Sequence, residues 1–120
     1  MPAAQYDLIV EQGATLPLNI TWKAPNGTPI NLTGFRVRAQ IRETAESDSI
    51  LLSFDSAALT AGMTIGALNS SGVIDITIAP SVTSTLSFGV AAWDLIVISP
   101  GGVVDRLVQG TATLIKTVTR

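Results

Sequence analysis

A chain of 120 residues with 47% hydrophobic and 13% charged side chains is too apolar for disorder. It is long enough to bury roughly two-thirds of its unfolded surface in one core. The absence of cysteine and histidine removes disulfides, thiolate metal sites, the commonest metal ligand and the usual general base, and a net charge of −2 gives no electrostatic case for nucleic acid.

In chain order, Tyr6–Val10 is a short apolar run closed by Glu11-Gln12-Gly13. Leu16, Leu18, Ile20 and Trp22 then alternate with Pro17, Asn19 and Thr21, which predicts a strand with one buried face. Pro17 cannot donate to a ladder and suits an edge or a bulge. Residues 23–30 (KAPNGTPI) are turn chemistry, with a short Ile30–Leu32 run beyond them. The cleanest alternation follows: Phe35, Val37, Ala39 and Ile41 face one way, and Arg36, Arg38, Gln40 and Arg42 the other. Residues 43–49 read as a loop, Ile50–Phe54 as a short strand, and Asp55–Gly62 as a loop or one helical turn. Met63–Leu68 is a weak strand before an Asn-Ser-Ser-Gly turn. Val73–Ala79 alternates again, with Ile74, Ile76 and Ile78 on one face. Pro80–Leu86 is the one plausible helical segment, and Pro80 fits its first turn.

The long hairpin Gly89–Leu114 organises the chain. Two apolar arms flank Pro100-Gly101-Gly102, where Pro100 presets a turn and Gly101 tolerates positive φ. In the first arm Asp94 marks one face as wet, grouping Ala92, Asp94, Ile96 and Ile98 against Trp93, Leu95 and Val97. Residues 95–98 are nonetheless apolar on both faces, and Val103-Val104 repeat this on the return arm. Such a strand needs cover on both sides, from its own domain or from a neighbour. About eight short strands spaced by turn signals predict a single all-β domain over residues 1–120, a sandwich or a barrel. No run reaches the ~18 apolar residues of a membrane span. The N-terminus has no basic region ahead of a long apolar segment, which predicts no secretory signal and folding in a cytoplasm.

The landmarks DLIVEQGATLPLNITW, INLTGFRVRAQIRE, GVIDITIAPSVTSTL and GVAAWDLIVISPGGVVDRLVQGTATL, with VTR at the end, span nearly the whole chain. In that order and spacing they resemble the Ig-like module of tail and baseplate proteins of tailed bacteriophages, similar to the N-terminal domain of baseplate upper proteins. The resemblance implies an Ig-like antiparallel β-sandwich of about seven or eight strands. It also implies a structural virion subunit in the tail, tail tip or baseplate. Such a subunit works by docking to other virion proteins and to copies of itself, with no catalysis and no cofactor. The alternatives are a head decoration or neck and collar protein, and a module binding host polysaccharide.

Candidate contact residues are Arg36, Arg38 and Arg42, a basic stripe suited to an acidic partner or simply a solvated strand face, together with Ile96, Ile98 and Val103. Asp75, Asp94 and Asp105 lack the supporting acid–base residues of a hydrolase and the spacing of a calcium loop, and read better as exposed positions or ion-pair partners of Arg36, Arg38 or Arg106. Trp22, Trp93 and Tyr6 would form a sugar-stacking platform if exposed. Both tryptophans fall on the apolar phase of their strands, which predicts core packing. Asn19, Asn26, Asn31 and Asn69 start chance matches to the glycosylation sequon.

Overall fold

The computed structural model describes residues 4–118. Nine strands run in chain order: β1 (Ala4–Gln5), β2 (Leu8–Glu11), β3 (Leu16–Thr21), β4 (Arg36–Arg42), β5 (Ile50–Asp55), β6 (Met63–Ile65), β7 (Val73–Ile78), β8 (Val90–Ile98) and β9 (Val104–Ile115), with one helical turn, α1 (Pro80–Thr83), before β8. They form two sheets. The larger has the order β1-β9-β8-β4-β5, with β2 also on β9, and the smaller has the order β3-β7-β6. This is an Ig-like sandwich. β3, β7 and β6 take the places of strands B, E and D, and β9, β8, β4 and β5 those of G, F, C and C′. The ladders are antiparallel except at the N-terminus, where β1 and β2 lie parallel to β9.

The period-2 segments place their apolar phase between the sheets. Val37, Ile41, Ile74, Ile76 and Ile78 are buried, and Phe35 and Ala39 pack against them half-buried. Leu95, Val97 and Trp93 join them from β8, so Asp94 marks the outward phase correctly. Pro17 sits on β3, an edge strand, where its missing N–H removes no bond needed by another strand.

Several boundaries differ from the sequence reading. The weak strand near 63–68 ends at Ile65, Asp55–Gly62 forms turns without a helix, and Ile30 is not a strand, only Lys23 and Pro29 bridging across that turn. At the long hairpin the Gly102 N–H donates to Ser99 O at 2.9 Å, and the left-handed residue is Gly102 (φ 91°), not Gly101. The loop is a three-residue turn whose third position takes the αL conformation, and only glycine occupies that position without strain. Val103 therefore lies at the hairpin tip outside the strand, and β9 begins at Val104.

Two long-range devices lock the ends. The Thr83 hydroxyl, fully buried, donates to Ala14 O at 2.8 Å and accepts from Gly13 N at 3.1 Å, pinning α1 to the β2–β3 turn. Its polar capacity is spent inside the fold, as a buried hydroxyl requires. On the other flank, Trp93 Nε1 donates to Tyr6 O at 2.8 Å, and the two rings meet edge to face at 5.8 Å. Gly110, opposite Trp93, makes room for this crossing, since a Cβ there would stand 2.4 Å from Tyr6 O.

Candidate docking face

The outward surface of the large sheet is built row by row from strand register. Arg36 pairs with Ile98, which pairs with Val104; Arg38 with Ile96, which pairs with Arg106; Gln40 with Asp94, which pairs with Gln109; Arg42 with Ala92, which pairs with Thr111. On the far side of β4, Asp55 stands opposite Arg38 and Ser53 opposite Gln40. Directly opposed residues share a face, so these side chains form one continuous surface. A bulge in β9 at Leu107 keeps Arg106 and Gln109 on it together.

This face carries four of the chain's seven basic residues, Arg36, Arg38, Arg42 and Arg106, and two of its nine acids, Asp55 and Asp94. The face thus has an excess of two positive charges (4 − 2) on a chain of net charge −2. Asp55 makes a bidentate ion pair with Arg36 and stands 3.6 Å from Arg38 Nε. The Arg36 hydrogen bonds, helped by the Ala57 N–H, hold the Asp55 carboxyl below its ordinary pKa, and the same pair raises that of Arg36. Arg38 Nε is buried without a hydrogen-bond partner among the described residues. Arg106 Nε pairs with Asp94 at 3.2 Å, and Arg42 holds Gln40 Oε1 and the Ser47 carbonyl.

Ile96 and Ile98 are half-buried, Ile96 standing in register between Arg38 and Arg106, and Ile98 between Arg36 and Val104. Val103 and Val104, 62% and 57% exposed, extend the apolar strip past the hairpin end. A cleft of about 480 Å³ opens on this face, lined by Gln40, Arg42, Ala92, Asp94, Arg106 and Gln109 together with Ala45 of the β4–β5 loop. Among the described residues no strand or helix is stacked on this face, and the Pro80–Leu86 segment is tied instead to the β2–β3 end of the sandwich.

The sequence candidates therefore divide. Arg36, Arg38, Arg42, Ile96 and Ile98 are brought together on one surface, and Val103 borders it. Asp94 does ion-pair with Arg106, whereas Asp75 lies on the outer side of the small sheet and Asp105 on the inward phase of β9 opposite Val97. Asp55, the acid that organises the stripe, was missed because it reads as the start of a loop. Trp93 is buried, Trp22 is half-buried edge-on to Phe35, and Tyr6 is 41% exposed. Among the described residues no three Asp or Glu side chains gather closely enough to hold a metal, and no helix is long and apolar enough to cross a membrane. No family model and no curated protein matches this chain.

Proposed function

We propose that this chain is a non-catalytic structural subunit of a tailed-bacteriophage virion, in the tail, tail tip or baseplate. It docks to its neighbours through the outer face of the large sheet. Two things support the reading: the whole-length resemblance to phage Ig-like modules, and the character of this face. The observation that carries it is the apolar strip Ile96, Ile98 and Val104 set among arginines, with no strand or helix of the described residues stacked on it. A solvated strand face needs no isoleucine pair at its centre. Buried apolar anchors beside arginine, ringed by polar groups, are the composition of protein–protein contacts. The positive excess favours a partner surface with net negative charge, which speeds and orients encounter.

A density map of purified particles tests the proposal. The expected result is the sandwich seated in the tail or its tip, with the Ile96–Ile98 strip against a neighbouring subunit. Density in the head or neck would reassign the location. Absence from the particle, or a seat in which this face meets only solvent, would overturn the reading.

A further inference from the structure

The two sheets expose their edges unequally. β3 carries Pro17 within it, β6 has three residues, β1 two, and β2 four ending in Glu11. Each of these edges is short or guarded by proline or charge, the usual protections against strand pairing. β5 differs. It is six residues long (ILLSFD), carries neither proline nor lysine, and has no strand partner beyond β4 among the described residues. Its one charge, Asp55, is at the end and is already neutralised by Arg36. Ile50 at the other end is 48% exposed.

The pleat of β5 also fixes how it can pair with itself. Leu52 and Phe54 stand opposite Ile41 and Ala39 on the inward phase, and Ser53 stands opposite Gln40 on the outward phase. Antiparallel partners share a face, and a pair centred on Ser53 sets Leu52 of one copy against Phe54 of the other. The regular stretch 52–54 allows this in one centred register, with Ser53 facing its own copy across the axis. The bulge near Ile50 lies outside that stretch. In this register Leu52 and Phe54 continue the inner apolar layer from one copy into the next, and no like charges oppose one another across the pair.

We propose that β5 is a self-pairing edge. Two copies join antiparallel along it about a twofold axis beside Ser53, and the large sheet of one continues into that of the other. The contact is isologous and closes at a dimer. It places the two arginine-bearing outer faces side by side as one extended surface. The inference stands on edge geometry and does not depend on the virion reading.

The chain has no cysteine, so Ser53→Cys supplies a unique probe. Directly opposed residues sit ~4.5–5.5 Å apart between Cα atoms, inside the span of about 4.4–6.8 Å that a disulfide bridges. Under mild oxidation Ser53→Cys should form covalent dimer on the order of tenfold faster than Asn19→Cys on the small sheet, because pairing raises the local thiol concentration. Wild-type chain should associate with rising concentration in sedimentation velocity. Ser53→Glu, which sets two carboxylates face to face across the axis beside a surface rich in arginine, should remain folded by circular dichroism and sediment as a monomer. A Ser53→Cys dimer that forms no faster than the control overturns the proposal. So does wild-type association that Ser53→Glu leaves intact. So does an edge that captures another protein's strand while the Ser53→Cys chain stays monomeric.

Discussion

The two outer faces of this sandwich are made by the same rule and read oppositely. On the small sheet the outward phase is Pro17, Asn19 and Thr21 on β3, Val73, Asp75 and Thr77 on β7, and Thr64 on β6. These are short, mostly uncharged polar groups suited to water. On the large sheet the same phase carries two isoleucines, an exposed valine and four arginines. Nothing in the sandwich architecture requires that difference, since both sheets need only one apolar face to form the core. The small sheet shows what the fold needs, and the large sheet shows what has been added.

The inner phase should give the largest effects. Trp93 and Asp94 are neighbours on opposite faces of β8. Trp93→Ala removes a buried ring, its bond to Tyr6 O and the edge-to-face contact, and should cost about 3–5 kcal/mol in denaturant unfolding. A loss within about 0.5 kcal/mol would place the ring outside the core. Gly110→Ala on the adjacent strand should cost roughly 1–3 kcal/mol, because its methyl would meet the Tyr6 carbonyl at a distance no packing adjustment of a side chain relieves.

The outward phase should respond differently. Ile96→Asp puts a carboxylate between Arg38 and Arg106 and should cost the isolated chain about 1 kcal/mol or less, while its incorporation into particles fails. Thr77→Asp on the small sheet should change neither stability, beyond about 0.5 kcal/mol, nor incorporation. If Ile96→Asp unfolded the chain, the strip would belong to the core. If it folded and assembled normally, the strip would not be a contact.

How much of this was legible in the sequence follows from the range of the interactions. Alternation in Phe35–Arg42 and Val73–Ala79 reports burial of each strand by itself, so the inner faces could be read directly. In the central arm one residue, Asp94, decided which phase faced out. Register was not written there. That Asp55 serves Arg36 and Arg38 depends on β5 pairing with β4, nineteen residues back from Asp55 to Arg36. Thr83 and Gly110 look like ordinary helical-turn and strand residues. Their roles arise from Ala14 and Tyr6, brought in from the far end of the chain. The parallel seat of β1 and β2 on β9 is equally silent, because short apolar runs carry no record of their partner.

The smallest expected effect concerns pH. Asp55 has a depressed folded pKa, so its contribution is fully present above the ordinary carboxylate range, about pH 4, and is lost as pH falls through the lower folded value. Its partner Arg36 is 45% exposed, and solvent screening keeps the contribution of such a pair small. Asp55→Asn should therefore be slightly less stable at neutral pH, and the gap should close as the solution is acidified below the folded pKa. A gap that stayed constant into acid would assign the loss to packing and not to charge.

On the proposed reading the outer face of the large sheet is covered in the assembled state and the outer face of the small sheet is not. Hydroxyl-radical footprinting, read by mass spectrometry on the free chain and on purified particles, addresses both faces at once. Ile96, Ile98, Val103 and Val104 should be protected on assembly, with Pro17, Thr77 and Asp75 labelled as in the free chain. Protection of the small-sheet residues with the isoleucine strip still open would contradict it.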